Sequence, residues 1–127
     1  PYLFSNSVAP PIAAAGLKAI ELVEDSPELR DRLWANTARF RTAMTDAGFD
    51  IVEGTHPIVP VMLGDAAVSA RFAELLWARG VYAISFSFPV VPRDTARIRT
   101  QLSAAHTFDD VDFAVAQFVA IKDELGL

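Results

Sequence analysis

The sequence predicts an α/β fold in which helices pack on one side of a small, mixed or antiparallel sheet. Segments with apolar residues at helical spacing alternate with short segments rich in β-branched and aromatic residues. In chain order they read helix, helix, strand, strand, helix, strand, strand, helix. The 127 residues are 52% hydrophobic, which is enough to enclose one core. Helices layered on a sheet are the arrangement that buries such elements together.

The first two helices are each predicted from a start that contains proline. Residues from 12 to about 23 are rich in Ala and follow Pro10-Pro11, which the first turn of a helix tolerates. The second helix begins with Ser26 as its N-cap and Pro27 in the first turn. Gly48 closes that helix, since glycine readily takes the left-handed conformation found there. Its predicted apolar stripe consists of Leu29, Leu33, Phe40 and Met44.

Two short strands and a third helix are predicted next. Residues 49–52 form the first strand, and residues 58–62 form the second. Pro60 restricts the second strand to a sheet edge or a break in pairing, because proline has no N–H to donate. Asp65 caps the third helix, which ends at Gly80. Its inward-facing residues are Val68, Phe72, Leu75 and Leu76.

The remaining elements are a strand at residues 81–88, a proline-containing loop, a strand at about residues 96–103 and a last helix. In residues 96–103 small and apolar side chains alternate with Arg97, Arg99 and Gln101. Same-face residues are about 6.6 Å apart, so two guanidinium groups can face one patch. Arg suits a small carboxylate because its donors are planar and bidentate; a half-exposed strand with no ligand is the commoner origin of such a pattern. Thr107 and Asp110 resemble a capping box that starts the last helix.

Composition excludes several classes of function. A net charge of −5 argues against non-specific nucleic-acid binding. No Cys is present, which removes thiolate metal sites, thiol nucleophiles and disulfides. The apolar stretch that contains Pro10-Pro11 and Lys18 is too short and too interrupted to span a membrane. A cytoplasmic protein is therefore expected, with some of its apolar surface covered by another domain or subunit.

The other reactive side chains offer little self-contained chemistry. His56, before a proline, is expected at the surface, and His106 is expected to pack near a helix N-terminus. Lys18 and Lys122 are both expected to be solvated, so neither fits a lysine that holds a cofactor. Ser5-Asn6-Ser7 precedes a helix and can either bind a phosphate or cap the helix. No metal site is expected, because the two histidines lack ligand spacing.

Four blocks of sequence carry a resemblance to a known family. They are residues 1–10 (PYLFSNSVAP), 57–65 (PIVPVMLGD), 89–92 (PVVP) and 96–107 (ARIRTQLSAAHT). They resemble the C-terminal part of the glycine C-acetyltransferases, also called 2-amino-3-ketobutyrate CoA ligases. These enzymes are pyridoxal-phosphate-dependent α-oxoamine synthases. The resemblance implies a homodimer of fold-type-I subunits that interconverts glycine and acetyl-CoA with 2-amino-3-ketobutyrate and CoA in threonine catabolism.

The resemblance also implies roles for particular residues. Arg99 is expected to bind the substrate carboxylate. Ser5, beside Phe4, is expected to reach the phosphate of pyridoxal 5′-phosphate in the neighbouring subunit. Arg97 is expected to be a structural arginine that forms an ion pair. The lysine that holds the cofactor is implied to lie in a large domain, so no catalytic residue is expected in this chain, which should be inactive alone. Residues 1–25 would then link to that large domain, and residues 26–127 would form the small domain.

Two departures and three alternatives qualify the resemblance. The family loop usually reads Pro-Lys-Gly after Val-Val, whereas Arg93-Asp94 follows Pro92 here, and Phe88 replaces a frequent Tyr. Either change can alter the preference for the acyl-CoA. Two related activities, 8-amino-7-oxononanoate synthase and 5-aminolevulinate synthase, remain open. A non-catalytic module that binds a carboxylate or mediates dimerisation is the third alternative.

Overall fold

Four helices and three strands make up the part of the chain that the computed structural model describes, residues 7–127. They are α1 (Pro10–Asp25), α2 (Pro27–Asp46), β1 (Ile58–Gly64), α3 (Ala66–Ala78), β2 (Ile84–Phe86), β3 (Ala96–Gln101) and α4 (Phe108–Leu125). The predicted α/β class is confirmed, and the sheet is antiparallel throughout. The chain divides into two units, one ending at Asp31 and the other spanning Arg32–Leu127.

The first unit is dominated by α1, whose first turn contains Pro10 and Pro11 as predicted. None of the residues of α1 is buried, although many are apolar. Lys18 is exposed and pairs with Glu21 at 3.1 Å, so its predicted surface position is confirmed. Ser26 lies between α1 and α2, and its carbonyl accepts a hydrogen bond from the Leu29 N–H at 3.2 Å.

The sheet of the second unit has the strand order β1-β3-β2. In β3, buried and solvent-accessible residues alternate, so Ile98 and Thr100 face the core while Arg99 and Gln101 face outward. This confirms the predicted assignment of faces. Val59 and Val61 of β1 pair with Thr100 and Ile98 and are fully buried beside them.

Pro60 explains why the predicted strand at residues 49–52 is reduced to a single bridge between Ile51 and Val61. On the outer side of β1, the Val52 N–H donates to the Pro60 carbonyl at 3.2 Å. Proline has no N–H with which to complete that pair. The Val52 carbonyl instead accepts a hydrogen bond from Nη1 of Arg41 at 2.8 Å. Pro60 thus lies on an edge strand, as predicted. The guanidinium of Arg41 provides the hydrogen bond to the Val52 carbonyl that a backbone N–H at position 60 would otherwise donate.

The core of the second unit lies between the inner face of the sheet and helices α2, α3 and α4. Four phenylalanines form its centre. The Phe118 ring lies 6.2 Å from that of Phe40, 5.9 Å from that of Phe49 and 5.4 Å from that of Phe72, measured between centroids. Since α4 supplies Phe118, α2 supplies Phe40 and α3 supplies Phe72, one ring joins all three helices.

Lys122 corrects an expectation, because it is not a freely solvated side chain. Its Nζ donates to the carbonyls of Ala47 at 3.0 Å and Gly48 at 2.9 Å, and it lies 4.8 Å from the ring centroid of Phe49. These carbonyls follow the end of α2, where the helix provides no N–H partners. A lysine of α4 therefore completes the C-terminus of α2.

Candidate functional site

The outer face of the sheet is the surface on which the sequence placed its arginines. The helices of the second unit pack on the opposite face. Antiparallel register places Ile84 beside Arg99 and Phe86 beside Arg97 on neighbouring strands. Cationic and aromatic side chains therefore share one open surface.

Arg99 is exposed and has a guanidinium whose donors are free. Its guanidinium carbon lies 4.4 Å from the centroid of the Phe86 ring, as expected of a cation–π contact. Within residues 7–127 it forms no hydrogen bond and no ion pair. A stacked guanidinium uses its flat face and keeps its in-plane N–H groups available. The geometry is therefore suited to a bidentate carboxylate.

Arg97 has a different role from its neighbour on the same face. Its Nε donates to the Thr95 carbonyl at 3.0 Å, and its Nη2 donates to Thr95 Oγ1 at 3.1 Å. The expected ion pair does not form within residues 7–127. A structural role is supported in another form, because Thr95 Oγ1 in turn donates to the Pro92 carbonyl at 2.8 Å. Arg97 thereby fixes the end of the loop that precedes β3.

That loop contains the two departures from the family pattern. Asp94 has φ of 60°, in the left-handed region that glycine adopts most easily. The position at which the family usually has glycine is therefore one that needs positive φ, and Asp is among the residues that tolerate it. Arg93 lies over the Phe88 ring, 4.3 Å from its centroid. The replacement residues thus include an Asp that adopts positive φ and a guanidinium that stacks on Phe88.

A cleft of about 680 Å³ opens beside Arg99, where β2 begins. The predicted strand at residues 81–88 pairs with β3 only over Ile84–Phe86, so residues 81–83 leave the sheet. The cleft is the gap between residues 81–83, the end of β3 and α4. Arg99 and Gln101 line it together with Tyr82 and Phe113.

One wall of the cleft depends on a residue that the sequence did not single out. Asn36 is 1% exposed, and its Nδ2 donates to the carbonyls of Ser103 and His106, both at 2.9 Å. His106 accepts a hydrogen bond from the Ser103 N–H at 3.2 Å, next to the start of α4 as predicted. Asn36 lies three residues after Leu33 and four before Phe40, so it falls within the apolar stripe of α2. A polar residue at such a position was the signal that could have identified it from the sequence.

Two acidic residues near the start of α4, Asp110 and Asp112, have hydrogen-bond partners within the described residues. Arg39 contacts Asp112 through two hydrogen bonds of 2.6 Å, which raise the pKa of Arg39 and lower the pKa of Asp112. Hydrogen bonds from the backbone and hydroxyl of Thr107 lower the pKa of Asp110. These carboxylates therefore stay ionised at neutral pH and do not provide a general acid.

The sequence also singled out residues outside β3. Ser5 and Phe4 lie outside the described residues. His56 belongs to a turn, in which its Nδ1 accepts a hydrogen bond from the Ile58 N–H at 3.0 Å. Within residues 7–127 no three acidic or histidine side chains cluster in a way that could hold a metal ion. No helix in that part of the chain is both long and apolar enough to cross a membrane.

Comparisons with known proteins show which family and which relatives the chain resembles. The model of the aminotransferase class I and II family matches residues 1–118. The 2-amino-3-ketobutyrate coenzyme A ligase of Escherichia coli K12 is 54% identical over the whole chain, which covers 32% of that protein. The 8-amino-7-oxononanoate synthase of Symbiobacterium thermophilum is 47% identical, also over the whole chain and 32% of that protein.

A solved structure shows the same fold in three dimensions. It is a structure of SPT with a PLP internal aldimine, which superposes with a TM-score of 0.90 at 27% identity. The superposition covers 97% of this chain and 31% of that one. The chain thus spans about a third of the length of the proteins it matches.

Proposed function

The chain belongs to the class I and II aminotransferase family, and from this premise we propose that it is part of a pyridoxal-phosphate-dependent glycine C-acetyltransferase. The proposed reaction joins glycine and acetyl-CoA to give 2-amino-3-ketobutyrate and CoA. In threonine catabolism it runs in the reverse direction. The 54% identity to the E. coli enzyme named for 2-amino-3-ketobutyrate and coenzyme A supports this choice. We propose further that the whole protein is a cytoplasmic homodimer.

The unpaired guanidinium of Arg99 is the observation that carries the proposal. Its stack on Phe86 fixes the cation, and its in-plane donors stay free. We assign it the carboxylate of glycine or of the amino-ketoacid. Two parallel hydrogen bonds would fix the orientation of the bound molecule, including its Cα–H bond. Such positioning lowers the barrier because the entropy of alignment is lost on binding, before the reaction begins.

Pyridoxal phosphate, when bound, supplies an electron sink for the negative charge that forms at Cα of glycine. The described residues fit a site of this kind on the substrate side, since Arg99 offers a carboxylate partner beside an open cleft. Ser5, next to Phe4, is proposed to hold the cofactor phosphate in the partner subunit. The cofactor lysine is proposed to come from the part of the protein that this chain does not include. The role proposed for this chain is substrate binding through Arg99.

The competing assignment is synthesis of 8-amino-7-oxononanoate, the product in the name of a relative with 47% identity. Arg99 would serve either reaction, because both names describe amino-ketone products. The higher identity of the E. coli relative favours the first assignment. A full-length protein that forms 8-amino-7-oxononanoate and no 2-amino-3-ketobutyrate would decide for the second. 5-Aminolevulinate synthesis and a non-catalytic carboxylate-binding module are further alternatives that the same product assay distinguishes.

The assignment of Arg99 is tested with Arg99→Ala in the full-length protein. Loss of two charge-assisted hydrogen bonds should weaken glycine binding on the order of 100-fold. The absorbance of the bound cofactor should remain, because Arg99 is not assigned to the cofactor. Glycine affinity is measured by titration of that absorbance, and product formation is measured in parallel.

Arg32→Ala is the matched control for this substitution. Arg32 is an exposed arginine of α2 with no hydrogen bond or ion pair within residues 7–127. The substitution removes the same charge at a position that is far from β3 in the sequence, so glycine binding should not change. Equal glycine affinities in the wild-type and Arg99→Ala proteins would refute the assigned role.

A further inference from the structure

Two arginines in residues 7–127 combine a stack on an aromatic ring with donors that have no hydrogen-bond or ion-pair partner there. Arg93 lies 4.3 Å from the centroid of the Phe88 ring, in the same way that Arg99 lies over Phe86. Arg93 is exposed and, like Arg99, forms no hydrogen bond or ion pair in this part of the chain. Arg39 also lies over a ring, but its donors are engaged by a carboxylate.

The stack prepares Arg93 for an anion without using its donors. Contact with the ring restricts the side chain, which reduces the rotamer entropy that binding would otherwise cost. The five N–H groups lie in the guanidinium plane and remain directed away from the ring face. Asp94 follows in sequence but does not come within ion-pair distance of Arg93. The cation is therefore not neutralised by its neighbour.

The backbone that carries Arg93 is held at both ends. On one side, the Val90 N–H donates to the Ser87 carbonyl at 2.9 Å. On the other, Thr95 Oγ1 donates to the Pro92 carbonyl at 2.8 Å and receives a hydrogen bond from Arg97. Arg93 and Asp94 lie within the second of these closed turns. A side chain on a backbone fixed in this way is suited to a defined binding geometry.

We propose that Arg93 binds a phosphate group of the CoA substrate. This inference rests on the proposed function and extends it. Among the proposed reactants, the carboxylate of glycine is assigned to Arg99 and the cofactor phosphate to the loop of Ser5. The remaining anionic groups are the phosphates of CoA, for which a guanidinium is a well-matched partner. The rings on which the two cations stack, Phe86 and Phe88, are two residues apart in the sequence.

The test compares Arg93→Gln with the wild type in the full-length protein, using two acyl donors. With acetyl-CoA, loss of one charge-assisted contact should raise KM about tenfold. With S-acetyl-N-acetylcysteamine, a thioester without phosphates, the wild-type and variant KM values should be equal. The KM for glycine should not change. Arg32→Gln, which removes the same charge from an unpaired arginine of α2, should behave as the wild type.

A direct binding measurement separates this inference from the proposed function. Calorimetry should show CoA binding about tenfold weaker in Arg93→Gln, and Arg93→Lys should recover part of the affinity because it keeps the charge. A wild-type protein that binds CoA through Arg93 but forms no amino-ketone would refute the acyl transfer and leave the Arg93 site intact. An equal CoA affinity in wild type and Arg93→Gln, or an equal rise in KM for both donors, would overturn the Arg93 site.

Discussion

At the scale of single residues, Lys122 shows how one cation can join helices that lie far apart in the sequence. It is one of only two lysines in the chain, and its Nζ binds two carbonyls just beyond α2 while its stem lies in α4. Carbonyls at a helix C-terminus lack backbone donors and carry partial negative charge. The ammonium group meets both requirements, and it also contacts the ring of Phe49.

Lys122→Met should therefore lower the free energy of unfolding by about 1–2 kcal/mol, since hydrogen bonds to charged groups are lost while the stem length is kept. Urea unfolding followed by circular dichroism measures the change. Lys18→Met is the matched control, because Lys18 has only an exposed pair with Glu21. Surface pairs of that kind contribute well under 1 kcal/mol. Equal losses in the two variants would contradict the assigned role of Lys122.

At the scale of elements, the start of α4 is held by a capping box. Thr107 Oγ1 accepts a hydrogen bond from the Asp110 N–H at 3.1 Å, and the Asp110 carboxylate accepts one from the Thr107 N–H at 2.8 Å. This is the reciprocal capping box that the sequence predicted, with Asp in the place of Glu. Asp109 and Asp110 in the first turn also interact favourably with the helix dipole.

The capping box makes stability depend on pH in a defined direction. Hydrogen bonds from Thr107 lower the pKa of Asp110 below its ordinary value of 3.8. The ionised carboxylate therefore stabilises the fold above that value, and the contribution is lost as the pH falls through the lower pKa of the folded state. Wild type should be more stable than Asp110→Asn at pH 7, and the gap should close towards pH 2–3. Urea unfolding at both pH values measures it; a gap that persists at low pH would argue against the assignment.

The strands show where prediction from sequence stops. Alternation in β3 was sufficient to assign both faces, because only one face can be buried. Residues 49–52 and 81–88 were predicted as full strands from local composition. Pairing, however, depends on the partner: Pro60 removes a donor opposite Val52, and residues 81–83 diverge from β3 beyond Ile84. Composition reports the preference of one segment and says nothing about hydrogen bonds that its neighbour can offer.

The same distinction applies to the candidate site. The sequence placed Arg99 on the outer face, but the stack on Phe86 and the pairing of Arg97 with Thr95 needed three-dimensional structure. The cleft was also not predictable, since it arises where β2 begins three residues later than the predicted strand. The positive φ of Asp94 could be anticipated only from the glycine that the related family usually has there. Local sequence identifies the chemical groups, and tertiary packing decides which of them stay free.

At the scale of the whole molecule, the core of the second unit is organised around one side chain. Phe118 of α4 is fully buried and contacts aromatic rings contributed by α2, by α3 and by the segment after α2. Each edge-to-face or tilted contact adds to the area that the ring buries. The inner face of the sheet, which includes Val59 and Ile98, belongs to the same core cluster. The scaffold that carries Arg99 therefore depends on this ring.

Phe118→Ala should lower the free energy of unfolding by about 3–5 kcal/mol, because burial is lost and a cavity remains between three helices. Domains of this size are stable by only about 5–15 kcal/mol, so the variant should be close to unfolding. Phe113→Ala is the matched control: Phe113 lies on the same helix but is 49% exposed, and its replacement should cost far less. Urea unfolding and near-ultraviolet circular dichroism measure both variants. If Phe118→Ala and Phe113→Ala lose similar stability, the three helices are not held through Phe118, and the sheet that carries Arg99 must be supported in another way.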